Sequence, residues 1–401
     1  MRGHIRERSP GHWAIVVDVS GHVSGKRKRR WHSFKGTKRE AHTECARLIS
    51  EQKLGLSVDP SRETVAEFLD RWLDHMKTQL TPRSHERYAE LVRKNIVPVI
   101  GRFLLTKLQP TAISQAYARA LASGRRMRTR TRANLETQSR ASASGLSPAT
   151  VHYMHRVLRQ ALQQAVRWQL LVRNPADLVK PPRIERREMS VLSADATAEL
   201  LEAVRDTTLH VPVLLGVLCG LRRGEIVALR WRAVDLEHGQ LSVVASTEQT
   251  STAVREKPPK SGRGRTVALP SLLTDELRQY RIKQAEALLR LGVRLNDDHH
   301  VVMKADGQPI QPRSLTHAFE IFLRQRKLPR VRLHDLRHTH ATQLLASGVH
   351  PKVAQERLGH SSVAITLDLY SHVLPGIQEA AASRVDVVVR DAIDRRRAGK
   401  G

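Results

Sequence analysis

HDLRHTHATQLL, residues 334 to 345, brings three histidines and one arginine together in a single short segment. If the segment is helical, His334 and Arg337 lie on one face, as residues three or four apart do. His334, Asp335 and His338 also spell HDxxH, a variant of the HExxH pattern by which a helix binds zinc. The segment alone therefore leaves three interpretations open: a metal site, a basic helix that contacts DNA, or one part of a larger site.

A second histidine motif lies downstream in ERLGHSSVAITLDLYSHV, residues 356 to 373. Gly359 is predicted to end a helix, because glycine readily adopts the left-handed conformation that closes helices. One of the two serines after His360 is predicted to cap the next helix. Tyr370 lies ten residues beyond His360, on that second helix.

Two further motifs precede these histidines. In CGLRRGE, Gly220 is predicted to end an apolar helix, Arg222 lies in the following turn, and Glu225 can hold the guanidinium of Arg222 in place. In PKSGRGRTVAL, Lys260 precedes a glycine-rich turn and a strand, so a hairpin could extend this lysine into a cleft.

These segments, in this order, resemble the tyrosine recombinases, also called the phage integrase family. About 110 residues separate the arginine of GLRRGE from HDLRHTHAT, and the tyrosine lies ten residues after the histidine of LGHSS. The resemblance implies a multidomain, mainly α fold with small β-sheets. It comprises an N-terminal three-stranded sheet plus helix (1–58, arm-type DNA-binding), a helical SAM-like core-binding domain (59–180, with a basic insertion at about 124–146) and an α+β catalytic domain (181–401).

The resemblance also implies a catalytic set, which is Arg222, Lys260, His334, Arg337, His360 and Tyr370, with Glu225 supporting the first arginine. The two arginines would offer bidentate forks to the nonbridging oxygens of the scissile phosphate. His360 would donate a further hydrogen bond, and His334, a group with a usual pKa of about 6.5, would position or deprotonate the nucleophile. Lys260 would protonate the departing 5′ oxygen. Tyr370 would attack and form a 3′-phosphotyrosine, and no cofactor or metal ion is expected.

Candidate DNA contacts lie upstream of these motifs. They are Lys26, Arg27, Lys28, Arg29 and Arg30 in a hairpin, Arg87 and Tyr88 in SHERYAEL, and Arg125 and Arg126 in a basic stretch. Each has an alternative: a solvated loop for the hairpin, a packed side chain for the tyrosine, and a disordered insertion for the basic stretch.

Local patterns predict the remaining architecture. Helices are predicted to begin after Thr37, Thr64, Thr81 and Ser147, because each can cap a helix and either a glutamate or a proline follows at a favourable position. Residues 174–188 contain three prolines and few periodic apolar residues, so they are interpreted as a linker.

The charge of the chain favours a polyanionic partner. Its 68 Lys and Arg against 39 Asp and Glu give a formal charge of +29 over 401 residues. No apolar run reaches the roughly 20 residues of a membrane span, and MRGHIRERSP has no apolar core, so a cytoplasmic protein is expected. Cys45 and Cys219 are interpreted as reduced, structural thiols. The partners that the family implies are double-stranded DNA attachment sites and, in the synaptic complex, a homo-tetramer. An excisionase or a host DNA-bending protein is a further candidate partner.

Several other functions compete with an integrase of a mobile element. A Xer-like resolvase has the same chemistry but usually lacks an arm-binding part, and a type IB topoisomerase relaxes DNA without site preference. A non-catalytic DNA-binding protein of the same fold would lack the catalytic set, which is present here. A zinc hydrolase would need a third ligand beyond HDxxH, and the permanent charge of Arg337 would repel a bound dication.

Overall fold

The computed structural model describes residues 3–19, 28–53, 62–123, 145–185, 191–259, 262, 264–370 and 377–398. The chain forms two compact units, Met1–Arg186 and Arg187–Gly401. Each unit is described below by itself.

The first unit begins with the predicted three-stranded sheet and a helix. The elements are β1 (Gly3–Ser9), β2 (His12–Val19), β3 (Lys28–Lys35) and α1 (Lys38–Lys53), and the strands are antiparallel in the order β1-β2-β3. Ile15 and Val17 of the central strand are buried together with Cys45 of α1, so the helix covers one face of the sheet. The predicted cap is present, since the backbone N–H of Thr37 donates to Glu40 Oε2 over 2.8 Å.

A helical bundle completes this unit. Its helices are α2 (Val65–Met76), α3 (Pro82–Leu91), α4 (Val97–Ile100), α5 (Pro110–Ser123) and α6 (Pro148–Arg167). Thr64 and Glu67 form the expected capping box, and the apolar stripe of α2 is buried. A π-helical segment, Val92–Ile96, joins α3 to α4 and was not predicted. Pro98, at the start of α4, has no N–H to donate, which fits a change of hydrogen-bonding register at this point.

The predicted linker begins later than the sequence indicated. Pro175–Leu178 forms a 3-10 turn that Asn174 caps. Ala176 and Val179 are buried in the core of the helical bundle, at 0% and 6% exposure. Pro175 therefore opens a packed turn, and residues 174–179 belong to the bundle because Ala176 and Val179 complete its core.

The second unit surrounds a buried apolar helix. Its helices are α7 (Ala194–Val204), α8 (His210–Cys219), α9 (Arg223–Ala228), α10 (Ser271–Leu289), α11 (Pro312–Gln325), α12 (Asp335–Ala346), α13 (Pro351–Leu358), α14 (Val363–Tyr370) and α15 (Ile377–Ala398). Helix α8 packs against α7, α9, α10 and α12, and nearly every one of its residues is buried. Burial raises the pKa of Cys219, at its end, to about 12, and neither cysteine forms a disulfide.

Small antiparallel sheets flank these helices. Strands β4 (Val234–Asp235), β5 (Gln240–Val243) and β8 (Arg265–Ala268) form one sheet, and β6 (Ser246–Gln249) pairs with β7 (Val254–Lys257) in a hairpin that was not predicted. Among the described residues, no helix is long and apolar enough to cross a membrane.

Two helices of the second unit end at glycines in the left-handed conformation. Helix α8 ends at Gly220 (φ 63°) and α13 at Gly359 (φ 65°), as the sequence predicted. At Gly220 a Cβ atom would lie 2.7 Å from His340 and 2.8 Å from Leu358. The two helix ends therefore approach each other too closely for a side chain at this turn.

Gly220→Ala should destabilise the protein more than Gly292→Ala does. Both glycines have positive φ, but a Cβ at Gly292 would meet nothing within 4 Å. Each substitution should cost about 1–2 kcal/mol of backbone strain, and the clash at Gly220 should add about 2 kcal/mol. Urea unfolding of the two variants measures the difference, and equal losses would show that the close approach at Gly220 is unimportant.

Candidate active site

Arg222 occupies the turn between α8 and α9, two residues after Gly220. Its Nη1 donates to Glu225 Oε1 over 2.8 Å, and its Nη2 donates to the carbonyl of Gly359 over 3.0 Å. The backbone N–H of Arg222 donates to the other carboxylate oxygen of Glu225 over 2.9 Å. Glu225 thus holds both the main chain and the guanidinium of Arg222, which is the arrangement expected from GLRRGE.

A second arginine, which the sequence analysis missed, shares this carboxylate. The Nη1 and Nη2 atoms of Arg265 donate to the two oxygens of Glu225 over 3.0 and 2.7 Å, and its Nε donates to the carbonyl of Arg357 over 2.8 Å. Burial would raise the pKa of Glu225, but the hydrogen bonds and charge of Arg265, together with the charge of Arg222, lower it to about 2. The only sequence signal for Arg265 was a cation at the start of a strand.

Arg337 lies on α12 and is 2% exposed. Its Nη1 donates to the carbonyl of Gly220 over 2.6 Å, and its Nη2 donates to the carbonyl of Leu358. These carbonyls belong to the ends of α8 and α13, where the last carbonyls lack partners within the helix and the helix dipole is negative. Main-chain oxygens therefore anchor both motif arginines: Arg337 at the ends of α8 and α13, and Arg222 at the end of α13.

Arg357, on α13, was also missed. Its Nη2 donates to the carbonyl of Leu218 over 3.0 Å, its Nη1 donates to the carbonyl of Ala268 over 2.9 Å, and its Nε donates to His340 Nε2 over 3.1 Å. Burial, followed by the charge of Arg357, lowers the pKa of His340 to about 4. His340 accepts a hydrogen bond inside the fold, so it has a structural role.

His334 and His360 lie near the same two guanidiniums. Burial, then His338, Arg337 and Arg222, lowers the pKa of His334 to about 4. Burial, then Arg337 and Arg222, also lowers the pKa of His360 to about 4. Both imidazoles are therefore neutral at pH 7, and His334 titrates well below the usual value of about 6.5 that the sequence analysis assumed.

The structure brings four of the six predicted catalytic residues together, and these are Arg222, His334, Arg337 and His360. Tyr370 is the last residue of α14, ten residues after His360, but its side chain lies outside the described part of the chain. Lys260 also lies outside the described residues, in the segment between β7 and β8.

The DNA-contact candidates fall into two groups. Lys26, Arg27, Arg125 and Arg126 lie outside the described residues, as do the side chains of Lys28 and Arg30. Arg29 is exposed on β3, and Arg87 pairs with Glu90 over 2.7 Å. Tyr88 is 9% exposed, stacks on Trp72 at 6.0 Å between ring centroids and donates to Gln160 over 3.1 Å. This placement favours the packed alternative for Tyr88 over a DNA contact.

The HDxxH segment has a different arrangement from a zinc helix. His334 precedes the first turn of α12, and the carboxylate of Asp335, 4% exposed, accepts from Arg332 Nη2 over 2.8 Å. Within the described ranges, no three His, Cys, Asp or Glu residues are placed to hold a metal ion. Asp335 instead holds Arg332 at the start of the helix.

Acid should destabilise the second unit, in part through His340. Its pKa is about 4 in the fold against a usual 6.5, so between these values the unfolded chain binds more protons and stability falls as pH decreases. The loss at pH 5 relative to pH 7 should be about 2 kcal/mol from this residue. His334 and His360 act in the same direction.

His340→Gln should reduce this pH dependence, as measured by urea unfolding at pH 7 and pH 5. His317→Gln, at an exposed position of α11, is the matched control and should leave it unchanged. If the stability of His340→Gln falls between pH 7 and pH 5 by as much as that of the wild type, His340 does not contribute to the pH dependence.

Comparisons with known proteins agree with this geometry. Residues 190–376 match the Phage integrase family, and residues 64–121 match the Phage integrase, N-terminal SAM-like domain. An integrase of Saccharopolyspora erythraea is 25% identical over 94% of this chain and 94% of its own. The ICEBs1 integrase of Bacillus subtilis (strain 168) is 28% identical over 61% of this chain and 67% of its own.

Solved structures share the fold. The Tn1549 transposon integrase in complex with a circular intermediate DNA aligns with a TM-score of 0.64, at 18% identity over 80% of this chain and 99% of that chain. A lambda integrase tetramer bound to a Holliday junction aligns with a TM-score of 0.54, at 16% identity over 91% of this chain and 94% of that chain. With the arginines and histidines of the motifs gathered in one site, the chain belongs to the phage integrase family and is a tyrosine-type site-specific DNA recombinase.

Proposed function

We propose that this recombinase integrates or excises a mobile DNA element by forming a 3′-phosphotyrosine at Tyr370. The observation that carries the proposal is an excess of positive charge in the site. Four guanidiniums, those of Arg222, Arg265, Arg337 and Arg357, gather around the ends of α8 and α13. Two of them, Arg222 and Arg265, share the carboxylate of Glu225.

This excess of charge suits a phosphodiester. The carboxylate of Glu225 and several carbonyl dipoles offset the four cations only in part, so a bound anion would lower the free energy of the site. The side chain of Arg222 is 28% exposed and Arg337 is almost fully buried. We therefore propose that Arg222, the more exposed of the two, makes more of the contacts with the nonbridging oxygens. Arg337 would stabilise their negative charge from its buried position.

The reaction proceeds by two balanced transfers. The phenolic oxygen of Tyr370 attacks phosphorus, the bond to the 5′ oxygen breaks, and Lys260 supplies the proton that this oxygen takes up. The 5′ hydroxyl of a partner strand then attacks the phosphotyrosine and releases the phenol. His360 donates to the phosphate, and His334, neutral at pH 7, positions the phenol or accepts its proton.

The remaining assignments extend this activity to the whole chain. Residues 1–58 would bind arm-type sites, residues 59–180 would bind the core site, and residues 181–401 would cut and rejoin DNA. The partners would be double-stranded DNA attachment sites and three further copies of the chain in a synaptic tetramer, in the cytoplasm. The names of the ICEBs1 and Tn1549 relatives, and the Holliday-junction tetramer of lambda integrase, support these assignments.

Tyr370→Phe should bind attachment-site DNA yet form no covalent adduct, because it lacks the attacking oxygen. A nicked suicide substrate that traps the phosphotyrosine measures this on a denaturing gel. Tyr280→Phe, which removes a hydroxyl from α10 of the same unit, is the matched control and should remain active. An adduct with Tyr370→Phe would refute the choice of nucleophile.

Arg222→Ala should slow cleavage by about 100- to 1000-fold with little change in DNA affinity, because a charge-stabilising donor acts mainly on the transition state. A substrate with a methylphosphonate at the scissile position lacks the negative charge that Arg222 would stabilise. The difference in cleavage rate between the wild type and Arg222→Ala should therefore be smaller on this substrate. Arg232→Ala, at an exposed arginine paired with Asp298 over 2.7 Å, is the control. Wild-type rates in Arg222→Ala would be fatal to its assigned role.

A further inference from the structure

We propose that Thr366 is a positioning residue that fixes which ring nitrogen of His360 carries the proton. The inference rests on the proposed function, in which His360 donates a hydrogen bond to the scissile phosphate. Thr366 lies between His360 and Tyr370 in the second histidine motif, but it was given no role from the sequence.

The geometry places one polar atom of Thr366 against one nitrogen of His360. The Oγ1 atom of Thr366 lies 2.9 Å from His360 Nδ1, and Thr366 is 0% exposed. The backbone of His360 is held independently, since its N–H donates to the carbonyl of Gln355 over 3.1 Å and its own carbonyl accepts from Gln355 Nε2 over 2.7 Å. The backbone that carries the imidazole is therefore held in place, and Thr366 is the partner found for Nδ1 among the described residues.

The direction of this hydrogen bond follows from the position of the hydroxyl proton. A buried hydroxyl without an acceptor costs about 1–3 kcal/mol. Among the described residues, Nδ1 of His360 is the one hydrogen-bond partner found for the Thr366 hydroxyl. If Nδ1–H donated to Oγ1, the hydroxyl proton would be left without an acceptor in a site that water does not reach. Thr366 therefore donates and Nδ1 accepts.

This direction determines what the other side of the ring can do. A neutral imidazole carries one proton, so an accepting Nδ1 requires the proton on Nε2. A second proton is disfavoured, because burial, and to a smaller extent the charges of Arg337 and Arg222, lower the pKa of His360. An Nε2–H group is a donor, which is what a phosphate oxygen requires. Without the hydroxyl of Thr366, the Nδ1–H tautomer would no longer be disfavoured. In that tautomer Nε2 has a lone pair and cannot donate to the phosphate.

The same bond links His360 to the helix that carries the proposed nucleophile. Thr366 lies on α14, one turn before Tyr370 at the end of that helix. Residues four apart lie on one face of a helix. The position of α14 is therefore coupled to the tautomer of His360. The same helix thus orients the Nε2–H donor of His360 and carries the proposed nucleophile, Tyr370.

Thr366→Val tests the inference, because valine has a similar shape but no hydroxyl. Cleavage of the suicide substrate should slow by about tenfold, a typical effect of losing one orienting hydrogen bond, with DNA affinity unchanged. Thr366→Ser restores a hydroxyl and should recover most of the lost rate. Thr342→Val removes a buried hydroxyl that has no hydrogen-bond partner among the described residues, and it should cleave like the wild type.

A double-mutant comparison separates positioning from folding. In a His360→Ala background, Thr366→Val should cause no further loss, because the ring on which it acts is absent. A full tenfold loss in that background would overturn the inference, since the hydroxyl would then act elsewhere. If His360→Ala cleaves normally, the role proposed for His360 and the inference fail together, whereas the assignment of Tyr370 as nucleophile stands or falls with Tyr370→Phe. If His360→Ala is impaired and Thr366→Val is not, the inference alone fails.

A spectroscopic measurement avoids dependence on activity. In protein labelled with ¹⁵N-histidine, the His360 signals, identified by their absence from His360→Gln, should show an unprotonated Nδ1 and a protonated Nε2 at pH 7. Thr366→Val should shift these signals toward a mixture of the two tautomers, and Thr342→Val should not. A protonated Nδ1 in the wild-type protein would contradict the proposed direction of the bond.

Discussion

The hydrogen bonds between arginine side chains and the carbonyls at two helix ends are the constraint on which the site depends. Helices α8 and α13 both end at left-handed glycines, and the carbonyls released there accept from Arg222, Arg337 and Arg357. Main-chain oxygens satisfy the guanidiniums without neutralising them. The arginines therefore stay fixed and cationic, and the charge that would bind a phosphate survives folding.

The buried carboxylate of Glu225 fixes where part of this charge lies. Glu225 receives both Arg222 and Arg265, so it connects the turn after α8 to strand β8. A second carboxylate on these two arginines would cancel more of the positive potential, and without Glu225 the guanidinium of Arg222 would lose its ion pair and keep the hydrogen bond to the carbonyl of Gly359. One carboxylate shared by two arginines holds the geometry and leaves most of the charge.

The sequence predicted the parts of the structure that local chemistry determines. The glycine ends of α8 and α13, the capping boxes at Thr37 and Thr64 and the grip of Glu225 on Arg222 follow from residues a few positions apart. It missed contacts that require distant segments to meet, such as Arg265 on Glu225, 40 positions away, and Arg357 on the carbonyl of Leu218, 139 positions away. The low pKa values of His334 and His360 were missed for the same reason, because burial is a property of the assembled core. The segment 174–179 was misinterpreted because prolines shape packed turns as well as linkers.

Acceptors supplied by the main chain also affect how such a site tolerates mutation. The carbonyls of Leu218, Ala268 and Leu358 are present whatever side chain occupies those positions. Substitutions at these positions can alter packing but cannot remove the carbonyl acceptor. The hydrogen bonds of the arginines therefore do not depend on which side chains occupy these positions. The structural relatives share the fold at 16–18% identity, and acceptors of this kind place no demand on the side chains of the residues that supply them.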